Sequence, residues 1–341
     1  VPPRSASPTA AVLAVALLVL PLRLAAAEDG GHRLTIVEEN DSMPFHSDKH
    51  YTQGLRLSYL APPVGAESFW AAPFDIFPWM QAAPERRSRR YAILVGQSLF
   101  TPKDTDLSPP DPDDRPYAGW LYGGVSLLQE TDRFILDHVE LQVGMAGPAA
   151  LGKATQNEYH QLIGATEAKG WSKQIQNELG VVVEIERKWR LGLAGANDRS
   201  FVDIVPEAGA VAGNVFTYGK LGALLRIGTH LGADYGPVRI TPALSGTDYV
   251  DPARLPEKFG FYLFVGAEGR AVGRNLFLDG NLLRDSRSVD KKTFVGDLQA
   301  GISIFFSDRV RIDAAAMRRS PEFEGQGSPD VLAMVGLSLF W

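Results

Sequence analysis

The sequence predicts an all-β chain: a transmembrane antiparallel β-barrel of about twelve strands, with a short helix in an external loop. Three observations predict it. Long segments alternate apolar and polar residues with a period of two, the mark of strands that bury one face. In RFILDHVELQVGMAG, for example, Ile135, Val139, Leu141, Val143 and Met145 oppose His138, Glu140, Gln142 and Gly144. The polar faces carry charge and glycine, as a wet or side-chain-filled lumen would. The sequence also closes on VLAMVGLSLFW, where Val335, Leu337, Leu339 and Trp341 share one face and the last residue is aromatic. A soluble sandwich would alternate too. These strands, however, approach the length that crosses a bilayer at a tilt, and a closed barrel leaves no unpaired edge in lipid.

Taken in order, the elements begin with Arg4, an apolar run from Ala10 to Leu20, and Ala25-Ala26-Ala27. A basic start, a short apolar core and a small-residue site read as a signal peptide over 1–27, and the run is too short to cross a bilayer as a helix. Residues 28–341 read as one barrel domain without internal repeat or linker. Its strands are expected at 33–41, 52–62, 90–100, 117–129, 133–147, 178–190, 200–212, 214–230, 259–275, 291–307, 308–319 and 329–341. In the second, Leu55, Leu57 and Tyr59 oppose Thr52, Gly54, Arg56 and Ser58; in the tenth, Phe294, Leu298, Ile302 and Phe306 oppose Asp297, Gln299 and Ser303. A formal charge of -6 argues against a nucleic-acid partner. The absence of cysteine excludes disulfides and thiolate metal sites.

If the first strand runs outward, parity brings three unusual polar segments to one external rim: Asn40–Tyr51, TPKDTDLSPPDPDDRPYAG, and the insert that follows Gly147. The basic PERRSRR falls on the opposite side and reads as a solvated turn. The insert holds a helix opened by Gly147-Pro148 and ended by Gly164. Gln156 and His160, four apart, share a face of it, and His160 there reads either as a general base or as a packing histidine. Asn40 and Asp41 are neighbours and would face opposite ways in a regular strand. For both to serve one site the strand must end or bulge, as strands do at barrel rims. Asp41 with Thr52 offers hard oxygen ligands for calcium; the alternative is a polar turn. Arg115 offers a phosphate clamp or a salt bridge to Asp113 or Asp114. His46 and His50 lack an evident third ligand for zinc, and no G-x-S-x-G elbow occurs.

ENDSMPFHSDKHYTQGLRLSY, FTPKDTDLSPPDPDDRPYAGWLYGG, GMAGPAALGKATQNEYHQLIGA, GWSKQIQNELG and PEAGAVAGNVFTYGKLG together resemble the outer-membrane lipid A 3'-O-deacylase family, in family order and over nearly the whole mature chain. The resemblance implies a monomeric twelve-stranded outer-membrane barrel that removes the 3'-O-linked acyl chain from lipid A. It implies a carboxylic ester hydrolase that uses Ca2+, with its site at the extracellular side between the barrel wall and the loop helix. Asn40, Asp41, Thr52, Gln156 and His160 match the family's functional residues, with His160 as base. The family's acid six residues after the histidine is Thr166 here, with Glu167 next to it as a candidate ligand beside Asp41 and Thr52. Lys103 is the nearest match to a loop lysine. Lys49, Lys103, Arg115, Arg274 or Lys291 are candidates to hold sugar phosphates. A calcium-dependent outer-membrane phospholipase and a non-enzymatic pore or adhesion barrel remain as alternatives.

Overall fold

In the computed structural model, residues 31–41, 49–81, 86–164, 166–194 and 200–341 are described. The expected signal peptide and His46 lie outside them. The strands are β1 (Arg33–Asn40), β2 (His50–Leu60), β3 (Arg87–Thr101), β4 (Ala118–Thr131), β5 (Ile135–Ala146), β6 (Glu178–Trp189), β7 (Leu191–Ala194), β8 (Val202–Gly213), β9 (Phe216–Gly228), β10 (Phe259–Asn275), β11 (Phe294–Phe306), β12 (Val310–Arg319) and β13 (Asp330–Phe340). Every neighbouring pair is antiparallel. Sequence neighbours pair in turn, β1 pairs with β13, and β8 pairs with both β6 and β7, so the sheet closes on itself. β7 continues β6 after Arg190, whose backbone N–H turns to the Phe134 carbonyl. The barrel therefore has twelve staves, one of them interrupted.

Alternation sorts the side chains as the sequence predicts. Leu141, Val143, Leu298 and Val265 are 45–57% exposed on the outer wall. Their strand neighbours Glu140, Gln142, Asp297 and Glu268 are buried inside. One rim carries the connections 102–117, 147–177 and 276–293; the other carries 61–86, 229–258 and both described ends of the chain, with the N–H groups of Gly31 and His32 on the Trp341 carbonyl. Five of the six connections on the first rim have nine residues or more against two of five on the other, and longer connections mark the external side of such barrels.

The lumen is not open. The connection 229–258 leaves the end of β9 and folds back into the barrel, an arrangement the sequence analysis did not foresee. It is held by charge. Asp234 accepts from Arg226 at 2.5 Å and is also paired with Arg311. Arg239 donates to Glu39 and Gln299, both at 2.5 Å. Asp248 takes Arg56 at 2.7 Å and the Ser58 hydroxyl at 2.6 Å. Tyr235 and Tyr249 donate to Glu130 at 2.9 and 2.8 Å. One irregular segment thus ties together β1, β2, β4, β9, β11 and β12. Buried ions are tolerated only when paired and hydrogen-bonded, and here each partner comes from a different part of the chain.

PERRSRR is not a solvated turn throughout. Among its described residues only Arg86 is exposed at the rim, paired with Asp132 at 2.8 Å. Arg90 points into the lumen and donates to the Ala61 carbonyl at 2.9 Å and to those of Gly31 and Val250. Arg89 points outward yet is only 5% exposed, because residues 69–80 fold over it. Strand β3 begins three residues earlier than alternation suggests, and its pairing absorbs the arginines.

Replacing Asp234 by Ala strands two buried guanidinium groups on one side. Breaking a buried pair this way costs about 3–5 kcal/mol. The expected outcome is a lower urea midpoint for unfolding of the detergent-solubilised barrel, with the slope unchanged.

Candidate active site

The site lies outside the barrel, where β1 and β2 reach the external rim. Glu39 faces the lumen and bonds to Arg239 and the Ile240 N–H. Its neighbours Glu38 and Asn40 therefore face the outer wall. Gln53 pairs with Asn40 across the strands and donates to Glu38 at 3.0 Å. Leu34, Ile36, Leu55 and Leu57 continue the same outer face below, so Glu38, Asn40 and Gln53 form a polar patch on an otherwise apolar wall.

A bulge solves the problem posed by adjacent Asn40 and Asp41. Tyr51 pairs with Phe100 and Gln53 with Leu99, which leaves Thr52 as the extra residue. Tyr51 packs in the lumen with Phe100. The Thr52 hydroxyl lies 2.6 Å from that of Thr101, the next residue on β3. Opposite the bulge β1 stops at Asn40, and Asp41 sits in a bend released from strand alternation. Its N–H reaches the Thr52 carbonyl at 3.4 Å, and its Oδ2 accepts from the Lys49 N–H at 2.7 Å. Asn40, Asp41 and Thr52 are all at most 5% exposed.

A helix roofs this wall. Residues Pro148–Ala150 make a 3-10 turn, Leu151 takes a left-handed conformation, and α1 then runs Gly152–Ile163. The helix starts four residues later than Gly147-Pro148 suggested. Its first residue must be small, since a Cβ at Gly152 would lie 2.6 Å from the Trp171 ring. Gly164 closes it at φ 74°, its N–H on the His160 carbonyl. Gln97, on the outer face of β3, donates to the Ala150 carbonyl at 2.6 Å and pins the entry to the wall. Trp171 is buried against Leu99 and Tyr117 and donates its indole N–H to Gln156 Oε1 at 2.6 Å. At the far end Tyr159 senses Glu38: burial first, then that carboxylate, push its phenol above the ordinary range. The roof thus lies over β4 and β3, beside the strands that carry the patch.

His160, next to Tyr159, is 6% exposed. Its Nδ1 lies 2.5 Å from the Thr166 carbonyl oxygen. A carbonyl only accepts, so Nδ1 donates the proton of this bond, and the neutral tautomer that fits it has its lone pair on Nε2. The position where the family acid was expected therefore orients the histidine through its backbone.

The family model described as outer membrane protein LpxR matches residues 11–341. The chain belongs to the LpxR family. It is an outer-membrane protein, and its closed barrel matches that of LpxR from Salmonella typhimurium with a TM-score of 0.70 at 21% identity, over 91% of this chain and 100% of that one. The β domain of the Bordetella autotransporter BrkA is similar over 91% of this chain and 99% of that one, at 12% identity and a TM-score of 0.44. The translocator domain of NalP from Neisseria meningitidis gives 11%, 97% and 98%, and 0.40. No curated protein matches the chain.

Within this LpxR-family barrel the remaining candidates lie apart from the wall patch. Arg115 is fully buried at the rim, over the Phe100 ring at 4.8 Å and 3.4 Å from Glu322. That pair replaces the bridge to Asp113 or Asp114 considered from sequence. Arg274 is spent on the carbonyls of Asn214 and Gly280, and Lys291 on Asp279 at 3.0 Å. Lys103 is exposed. Glu167 is exposed and accepts from Gln161 at 2.9 Å. His50 bonds to Asp330 at 2.7 Å. Among the described residues, His138, Glu184 and Glu186 group their ligand atoms within 4.8 Å. They face the lumen, and Lys188 and Lys220 already pair with the two acids at 2.6–3.0 Å. Trp171, Thr101, Gln97 and Glu38 were missed by motif reading. Only strand parity signals Glu38, as an acid on a face that is otherwise apolar.

In the 15N spectrum of histidine-labelled protein, His160 Nδ1 should give a protonated, pyrrole-type shift and Nε2 an unprotonated one. The reverse assignment would detach the ring from the Thr166 carbonyl.

Proposed function

We propose that this chain is a lipid A 3'-O-deacylase, a carboxylic ester hydrolase that works as a monomer from the external face of the outer membrane. The supporting observation is the placement of a buried, oriented histidine on a helix that roofs the lipid-facing wall. A substrate whose acyl chains stay in the outer leaflet meets such a site sideways, without leaving the membrane. A lumen filled by 229–258 offers no comparable entry.

In this reading His160 Nε2 takes a proton from water, and the water oxygen attacks the ester carbonyl. A neutral imidazole held at one tautomer suits that transfer near neutral pH. The tetrahedral intermediate then expels the sugar 3'-oxygen, which recovers a proton from the imidazolium. Gln156, fixed by Trp171, and Asn40, at the end of β1, orient the water or the developing oxyanion. Withdrawal from bulk water under the roof strengthens each of these dipoles.

Asp41 and Thr52 are the residues that would hold Ca2+. Their donors are carboxylate and hydroxyl oxygens at the rim, a hard set that fits this ion. Glu167, exposed and 2.9 Å from Gln161, is the third candidate ligand. When bound, the ion supplies Lewis-acid polarisation of the carbonyl. Lys103 remains the exposed cation for a sugar phosphate.

Lipid A from cells expressing the protein should lose its 3'-linked acyl chain in a mass spectrum, and a chelator should stop the loss until calcium is restored. Unchanged lipid A with a folded, heat-modifiable barrel and calcium present would sink the reading. His160→Ala should lower turnover by roughly 10²–10⁴-fold, the usual weight of a general base, and leave the barrel intact. Release of fatty acid from glycerophospholipid instead would favour the phospholipase. Steady conductance in planar bilayers without hydrolysis would favour the pore, and the filled lumen predicts none.

A further inference from the structure

The connection between β2 and β3 does not behave as a loop at the rim opposite α1. Ser68 caps a 3-10 run over Phe69–Ile76, its hydroxyl accepting from the Trp70 N–H at 3.3 Å, and a second turn spans Pro78–Met80. Both lie against the outer wall. Phe74 and Met80 are fully buried there on Leu127 and Val139, and the Trp70 ring stacks on Tyr91 at 4.2 Å.

Beneath them Arg89 is completely satisfied. It donates to Gln129 at 2.9 Å, Asp75 at 2.9 Å and the Met80 carbonyl at 2.8 Å, with its charge 4.9 Å from the Phe74 ring centre. An outward arginine would be costly against lipid; here the segment covers it and stays fixed by it.

The opposite face of the segment is apolar and uncovered. Phe69 is 81% exposed, Ile76 73% and Trp79 42%. Asp75, the acid beside Ile76, is 61% exposed and is paired with Arg89 at 2.9 Å. This face is continuous with the exposed belt of Ile93 and Val95 on β3 and of Leu141 and Val143 on β5. It ends in aromatic rings, which favour the level where headgroups meet acyl chains, and an amphipathic segment of this kind lies in that plane.

We propose that residues 69–80 are a membrane anchor, docked into the headgroup–acyl boundary of a glycerophospholipid leaflet at the rim opposite α1. The anchor grips β3, β4 and β5. Gln97 on β3, and β4 beside it, carry α1 at the other end. One side of the barrel is thereby held at a set depth at both rims, and the wall patch under α1 keeps a constant height in the outer leaflet.

The chain has no cysteine, so single labels are clean. Ile76→Cys, Phe69→Cys and, as a control, Glu67→Cys each receive a nitroxide and are reconstituted in phosphatidylethanolamine–phosphatidylglycerol vesicles. Oxygen should collide with the labels at 69 and 76 more often than a water-soluble nickel chelate does, with the order reversed at 67. Equal nickel access at all three positions would overturn the anchor. Dipolar broadening at 69 or 76 that disappears on dilution with unlabelled protein would overturn it too, in favour of a second copy on this face. Heat-modifiable mobility confirms that each variant is folded, and no readout depends on hydrolysis.

Discussion

Hydrogen bonding of the backbone in lipid is the constraint on which everything else depends. No water reaches an N–H or C=O in the hydrocarbon, so each must find a partner within the sheet. Pairing β1 with β13 and carrying β8 across from β6 to β7 meets that demand around the whole circumference. Closure then dictates the chemistry of both faces. Alternation sends Leu, Val and Ile outward and leaves acids, arginines and lysines inside, where they must neutralise one another. Arg56, for instance, lies between Asp248 and Glu140 at 2.7 and 3.2 Å.

A lumen of this width cannot be filled by wall side chains alone. The 229–258 segment supplies the rest, with the acids and carbonyls that the wall arginines need. Arg190 donates to the Gly232 carbonyl at 2.6 Å, and Arg226 to that of Leu231 at 2.9 Å. Filling the barrel spends the interior on structure.

The strands were legible because a period-two pattern is forced on any stave with lipid on one side. All twelve expected segments correspond to observed staves, with ends differing by a few residues where a rim turn or the β6–β7 break intervenes. The filling segment was not legible. An irregular stretch such as TPALSGTDYV has no period, and its burial depends on partners far away in sequence, like Arg239 with Glu39. The covering stretch over Arg89 escaped for the same reason, since nothing local says that PERRSRR lies under aromatic rings. Of the candidate site, Asn40, Asp41 and Thr52 could be brought together in advance only by supposing that the strand ends or bulges there. In the structure β1 ends at Asn40, and a bulge lies opposite it on β2 at Thr52. The burial of Arg115 was not legible either, because an arginine in a polar loop looks exposed, whereas packed rim loops bury it.

The departure from the family pattern at Thr166 becomes understandable in these terms. A base histidine needs a second partner mainly to hold its tautomer and direction. A carboxylate does this with charge and also stabilises the imidazolium; a backbone carbonyl does it with a dipole alone. Here the Gly164 cap turns the chain directly after α1 and brings the Thr166 carbonyl back onto Nδ1. The neighbouring acid Glu167 is thereby directed outward to Gln161. The His160 ring is then oriented by helix-end geometry and not by a side chain. Changing Thr166 to another residue that keeps this backbone should matter little, whereas lengthening the turn by one residue would withdraw the carbonyl and with it the orientation of the ring.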